Sequence, residues 1–119
     1  MEALSADASL EAIFDLDNEK AEGLKGRLLS GAAVASSLDQ LVNLCDLVIE
    51  AASAEASPAI LEKAIDNKKS VMIMSVGGLA DKEELLFSAE KRGCKVYIPS
   101  GAVCGLDGVK AARLGIIEE

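Results

Sequence analysis

Residues 97–108, Tyr-Ile-Pro-Ser-Gly-Ala-Val-Cys-Gly-Leu-Asp-Gly, constrain the fold of this chain more than any other stretch. A β-branched run over residues 95–98 stops at Pro99. The chain then passes through Ser100, Gly101, Ala102 and, past Val103 and Cys104, Gly105, before a helical pattern resumes at Leu106. This reads as a strand, a tight loop and a helix start, with the loop stripped of bulk so that something can approach the backbone. Residues 48–53 (Val-Ile-Glu-Ala-Ala-Ser) and 71–78 (Val-Met-Ile-Met-Ser-Val-Gly-Gly) end in the same way. Three strands that each finish in small residues give a parallel α/β sheet one permissive edge, the edge at which open sheets of this kind bind ligands.

The rest of the chain fits that sheet. Residues 10–14 alternate and read as a strand closed by Asp15. Asp17 can cap a helix over residues 18–29, despite Gly23 and Gly26 inside it, and Gly31 stops it. Residues 32–35 are a short strand. Ser36 or Ser37 caps the next helix, to about Cys45, with Gln40 as the capping-box partner of Ser37. Residues 46–51 are a buried strand. Ser57 and Pro58 open a helix as cap and first position, with Ile60, Leu61, Ala64 and Ile65 on one face. Residues 71–76 are apolar on both faces and read as a central strand, with Met72 and Met74 as core filler. Asp81, with Glu84 three later, caps a helix to about Arg92, ended by Gly93. Residues 94–98 form a strand, 106–114 a last helix, and 116–119 resemble the start of another strand. Strands alternating with helices of about ten residues mean a parallel sheet with right-handed crossovers. The 119 residues suffice for one domain.

Composition narrows the function. Half the residues are apolar and three are aromatic (Phe14, Phe87, Tyr97), which suits a parallel sheet covered by helices. Nucleic-acid binding wants stacking rings and a basic face, whereas 12 basic against 20 acidic residues give a formal charge of −8. A nucleotide can still bind through backbone N–H groups and helix N-termini. Cys45, Cys94 and Cys104 are odd in number and form no C-x-x-C pair, so neither a disulfide framework nor a zinc site is expected. A reducing compartment, no membrane span and no signal peptide make the expectation a cytoplasmic protein. No histidine is present, which removes the commonest general acid–base residue and metal ligand.

Each candidate site residue has a plain structural alternative. Asp15 ends the first visible strand; an acid at the end of the second strand of a dinucleotide fold binds the adenine-ribose hydroxyls, but an aspartate there can equally cap a helix or sit solvated in a loop. Residues 50–53 (Glu-Ala-Ala-Ser) and 75–78 (Ser-Val-Gly-Gly) can be cofactor loops or ordinary strand-to-helix turns, which need small residues anyway. Cys104 stands near a helix start where a thiolate is favoured, but without a histidine to activate it a small loop residue is the better reading. The G-x-G-x-x-G fingerprint is missing, and the nine residues before Leu10 cannot hold a strand, a glycine loop and a helix.

Taken together, Glu50-Ala-Ala-Ser53, Met74-Ser-Val-Gly77 with Ala80-Asp81, and Tyr97-Ile-Pro-Ser-Gly-Ala102 followed by Gly105-Leu-Asp107 resemble the NAD(P)-dependent L-aspartate dehydrogenases. The resemblance runs from about Leu10 to the end, and residues 100–107 are its most specific part. It implies part of an N-terminal Rossmann domain spanning residues 1–119, with the family's first strand and glycine loop preceding Met1. A catalytic and dimerisation domain carrying the family's histidine would follow Glu119. It implies an oxidoreductase interconverting L-aspartate and oxaloacetate or its imine, feeding nicotinamide cofactor synthesis. Asp15 then matches the ribose-binding acid. Ala51, Ala52 and Ser53 match the loop beside the pyrophosphate and ribose; Ser75, Val76 and Gly77 match the strand end near the nicotinamide ribose; and Ala102 matches a cofactor-contacting backbone position. Cys104 stands where the family usually has glycine. The implied cofactor is NAD or NADP, with NAD favoured by the Asp15 carboxylate.

Two other functions compete: a non-catalytic Rossmann-like binding or interaction module derived from a dehydrogenase, and a related enzyme such as homoserine dehydrogenase or dihydrodipicolinate reductase, against which the Ser-Gly-Ala…Gly-Leu-Asp stretch argues. The expected fold lacks the first Rossmann strand, which lies between the second and fourth in the order 3-2-1-4-5-6. The strands at 10–14 and 46–50 should therefore face a gap. Direct pairing, strand exchange with a second copy, or a looser N-terminal half would relieve it; a compact half over residues 46–114 with a looser start is the expectation, and a second copy or the missing segment could serve as partner. Neither nucleic acid nor membrane is an expected partner.

Overall fold

The structure, a computed structural model, describes residues 8–28 and 31–99. The expected helix at 106–114, the residues at 116–119, Cys104 and Ala102 lie outside them. The chain runs β1 (Ala12–Ile13), α1 (Asn18–Lys25), β2 (Ala33–Val34), α2 (Leu38–Leu44), β3 (Leu47–Glu50), α3 (Ser57–Asp66), β4 (Ser70–Ile73), α4 (Glu83–Lys91) and β5 (Val96–Tyr97), with a 3-10 turn over Val76–Leu79. Every strand pairing among the described residues is parallel. Strands alternating with helices in wholly parallel sheets make the architecture α/β and Rossmann-like.

The strands fall into two sheets, β1–β2 and β3–β4–β5. Among the described residues β1 and β3 do not pair, so the direct pairing that would close the gap is not made. Helix α2 packs against both β1 and α3 and so touches each part. Strand β4 is central, with Ile49 opposite Met72 and Met72 opposite Tyr97.

Local chemistry explains most helix limits and several departures. Asp17 caps α1, its side chain accepting from Glu19 N at 3.1 Å. The helix ends at Lys25 rather than 29. Past it the amides of Arg27 and Leu28 bond three residues back, to Leu24 O and Lys25 O at 3.0 and 3.1 Å, which tightens the backbone out of the α-helix. Only Ala21 of this helix is buried, so little packing opposes its glycines. Ser37 caps α2 by accepting from Gln40 N at 3.2 Å, while the Gln40 carboxamide reaches back one residue further than expected, to Ser36 N at 2.7 Å. In α3 the expected face is buried at Leu61, Ala64 and Ile65 and partly at Ile60. Its cap position is Ala56, however, and Ser57 is already the first helical residue, its hydroxyl donating to the Ser53 and Ser75 carbonyls instead. Asp81 does not cap α4 either. The 3-10 turn brings the chain to Asp81 with φ of 57°, a left-handed conformation that aspartate tolerates, and the helix starts after Lys82 without a side-chain cap.

Helices α3 and α4 leave by the same hydrogen-bonded exit. Lys69 N bonds Ala64 O and Cys94 N bonds Ala89 O, both at 2.9 Å, each across a left-handed residue. In α4 that residue is Gly93, as expected, with φ of 72°; in α3 it is Lys68, with φ of 55°.

Alternation along the strands divides the three-stranded sheet. Val48, Val71 and Ile73 point into a core with Val42, Leu61, Ala64, Ile65 and Ala89 from the helices. Leu47, Ile49, Met74 and Tyr97 are exposed. The strand expected over residues 71–76 stops at Ile73, so Met74 is half exposed at 50% and is not core filler.

Candidate functional site: the rim at the ends of β3 and β4

Parallel pairing of β3 with β4 puts Glu50 opposite Ile73 and carries both strands to the same edge. Residues 51–53 leave β3 there and residues 75–77 leave β4. The two turns are joined by side chains behind them. Glu50 ends β3 only 2% exposed. Its Oε1 accepts from Ala52 N at 2.7 Å and its Oε2 from Ser75 N at 2.9 Å, so one carboxylate spans both turns. Burial alone would push its pKa up. The amides of Ser75 and Ala52, with the hydroxyls of Ser75 and Ser57, outweigh that and hold it below the usual carboxylate value. Ser57, fully buried, adds a second bridge: its Oγ lies 2.9 Å from Ser53 O and 3.1 Å from Ser75 O. Ser53 also closes its own turn, with its carbonyl accepting from the amides of Ala56 and Ser57 at 3.1 Å.

The turns touch backbone to backbone. A Cβ built on Gly78 would lie 1.9 Å from Ala54 O and 2.7 Å from Ala54 C, so only glycine fits. At Gly77 a Cβ would meet only Ala54 Cβ, at 4.0 Å.

Ala51, Ala52, Ser53, Ser75, Val76 and Gly77 are thus brought together as one continuous rim. Ala51, Ala52 and Gly77 are exposed and Ser53, Ser75 and Val76 half-buried. The N–H groups of Ala52 and Ser75 are spent on Glu50, which leaves these two residues to meet a ligand by surface contact rather than by donating from the backbone. Asp15 lies apart. It follows β1, is exposed, and its Oδ1 accepts from Asp17 N at 2.8 Å within the loop. Among the described residues no hydrogen bond or ion pair joins it to the rim.

Glu50 and Gly78 fall inside the two candidate loops and Ser57 at a helix start, but the part each plays in joining the turns was not read from the sequence. Glu50 had a signal: a lone charge at the end of a buried apolar run needs partners. Ser57 was read as a cap because serine before proline usually is one. Gly78 carried none beyond being the second of two glycines.

Away from the rim, Lys63 and Asp39 tie α3 to α2 at 2.7 Å, and Arg92 and Asp66 tie α4 to α3 at 3.0 Å. Among the described residues no group of three or more Cys, Asp or Glu side chains could hold a metal ion, and no helix is long and apolar enough to cross a membrane.

The model of the homoserine dehydrogenase NAD-binding domain family matches residues 1–99. The L-aspartate dehydrogenase of Methanocaldococcus jannaschii is 49% identical over 116 residues, which is 94% of this chain and 43% of that protein. The chain therefore spans less than half the length of the curated relatives it matches. Among solved structures, GenD2 from gentamicin A biosynthesis, in complex with NAD, superposes with a TM-score of 0.77 at 24% identity, over 95% of this chain and 34% of that one. Biliverdin reductase from Synechocystis, in complex with biliverdin and NADP+, gives 0.70 at 21% identity, over 82% of this chain and 32% of that one. At such identities the two structures speak for the fold alone. The resemblance to L-aspartate dehydrogenases read from residues 50–53, 74–81 and 97–107 is borne out, and the chain belongs to the homoserine dehydrogenase NAD-binding domain family.

Proposed function

We propose that this chain is the nicotinamide-dinucleotide-binding part of an L-aspartate dehydrogenase and that by itself it does not turn over aspartate. The observation that carries the reading is the 49% identity to such an enzyme over 94% of the chain. The rim fits the group: its residues are small, its turns are satisfied from behind, and glycine at 78 lets two backbones meet where any Cβ would intrude. Residues 1–119 act as a partial Rossmann domain. Ala51, Ala52 and Ser53 lie along the pyrophosphate and ribose, Ser75, Val76 and Gly77 along the nicotinamide ribose, and Ala102 offers a backbone contact. When bound, the nicotinamide ring supplies hydride transfer, and the protein supplies binding and orientation.

Asp15 would accept from both ribose hydroxyls and repel a 2′-phosphate. That favours NAD over NADP by about 1–3 kcal/mol, the worth of a charged hydrogen bond. The chain has no histidine for proton transfer, a group that typically supplies about 10²–10⁴-fold. Titration of the 119-residue protein with NADH and NADPH, followed by fluorescence, tests the binding half. NADH should bind more tightly than NADPH, and Asp15→Ala should narrow the gap. Equal affinities before substitution refute the preference, and absence of binding refutes the cofactor role. Aspartate-dependent formation of NADH by the pure chain would overturn the claim of inactivity.

A further inference from the structure

We infer that Glu50 is a positioning residue: its buried carboxylate clasps the amides of Ala52 and Ser75, and with the Ser57 hydroxyl it locks two strand-end turns into the single shaped edge against which the cofactor lies. This rests on the dinucleotide reading of the rim and extends it to a residue that does not touch the ligand.

Sequence and geometry support it together. The turns after β3 and β4 are 25 residues apart in the chain where Glu50 meets Ser75, and they are built mostly of small residues whose side chains offer little to lock them together. Left to themselves, two such turns would sample many conformations, and a ligand would have to order them on binding, at a cost in affinity. Glu50 removes that freedom in advance. It has one oxygen for each turn, at 2.7 and 2.9 Å. It is 2% exposed, and carboxylate–amide bonds are stronger than neutral ones. Ser57, from the first turn of α3, places its hydroxyl between the carbonyls of the same two turns, 2.9 Å from Ser53 O and 3.1 Å from Ser75 O, with its one proton shared between them. The N–H groups of both turns are therefore held by one side chain, and their carbonyls share the single proton of a second. Neither glutamine nor aspartate can replace Glu50. Glutamine presents one accepting oxygen and turns an N–H₂ group toward the other amide. Aspartate keeps the charge but is one methylene too short to span both.

The test uses the ¹⁵N-labelled 119-residue chain and NADH as the probe, read by amide NMR. In the unsubstituted protein the Ala52 and Ser75 amide protons should lie downfield. Glu50→Gln should move at least one of them upfield while leaving the amides of α4 and β5 in place. A merely space-filling role predicts no such change, because glutamine has the same shape. NADH should shift the amides of Val76 and Gly77, and its Kd should rise about tenfold in Glu50→Gln and in Glu50→Asp but not in Glu62→Gln, an exposed position on α3. Ser57→Ala, expected to weaken NADH about threefold, carries the test if the Glu50 variants do not fold. Unmoved Ala52 and Ser75 amides in Glu50→Gln would overturn the clasp. Lost clasp signals with an unchanged Kd, for either Glu50 or Ser57, would overturn the positioning role. If NADH shifts nothing in the unsubstituted chain, the cofactor reading fails and the positioning role with it. The downfield amides, which need no ligand, then show that the clasp itself is real.

Discussion

Replacing Gly78 by alanine should be among the most damaging single-methyl changes available to this protein. The added Cβ would lie 1.9 Å from Ala54 O, and that oxygen belongs to backbone, so no side-chain rotation can relieve the contact. To reach ordinary contact near 3.4 Å the two turns must part by about 1.5 Å. A movement of that size cannot leave both Glu50 oxygens at 2.7 and 2.9 Å from Ala52 N and Ser75 N. Overpacking of this kind costs roughly 1–3 kcal/mol. Losing one carboxylate–amide bond beside a buried charge adds about 1–3 kcal/mol. Part of the second is relieved by the movement that causes it, so a net loss of about 3 kcal/mol is expected, a large share of the roughly 5–15 kcal/mol that holds an ordinary domain together. Gly77 provides the internal control, since a Cβ there meets only Ala54 Cβ at 4.0 Å. Urea unfolding followed by far-ultraviolet circular dichroism reads both variants. Gly77→Ala should be indistinguishable from the parent or slightly more stable. If Gly78→Ala stays within about 0.5 kcal/mol of the parent, or if Gly77→Ala costs as much, the backbone contact does not hold the rim together.

Other outcomes follow from particular groups. The Glu50 pKa is lowered on folding, so its carboxylate stabilises the fold above the unfolded value near 4.5, and that contribution disappears as pH falls through the lower folded value. Urea midpoints measured from pH 7 to pH 3 should therefore converge between the parent and Glu50→Gln at the acid end, and a gap that widens there would contradict the sign. Lys68→Gly should stabilise by about 1 kcal/mol, because it relieves a lysine held in the left-handed region at the end of α3, while Gly93→Ala should destabilise α4 by a similar amount. Thermal melts of the two variants check both. Burial pushes the Cys45 thiol up, against a smaller opposing pull from Lys69, so at pH 8 its alkylation by iodoacetamide, mapped by mass spectrometry, should be slower in the folded protein than in urea.

The parallel α/β architecture was legible because its signal is repeated: β-branched runs closed by small residues, each followed by a capped amphipathic segment. Caps were legible only where the side chain had no better partner. Asp17 and Ser37 face solvent at their helix starts and cap as expected. Ser57 stands in an equally good local sequence, but the helix starts one residue earlier, which puts Ser57 inside α3, where its hydroxyl donates to the Ser53 and Ser75 carbonyls. Asp81 was displaced by the 3-10 turn before it, which passes so close to Ala54 that only glycine fits at 78, again a contact between distant segments. The same limit applies to the site. Small residues at strand ends marked where the rim is, but the carboxylate that joins its halves acts across 25 residues, and no local pattern encodes that pairing.

The division into two sheets bears on how the chain reaches this fold. Ala12 pairs with Ala33, Leu47 with Ser70, and Val71 with Val96, so each strand meets the strand next to it in sequence once a single helix has formed between them. Each closure spans only about two dozen residues, and closure entropy grows slowly with length. Among the described residues, then, the sheets can assemble as successive strand–helix–strand steps while the chain emerges from synthesis. Joining β1 to β3 is the step that sequential growth does not provide. Refolding kinetics should accordingly show one fast phase for β3–α3–β4–α4–β5, with any slower phase belonging to the docking of β1–α1–β2 through α2.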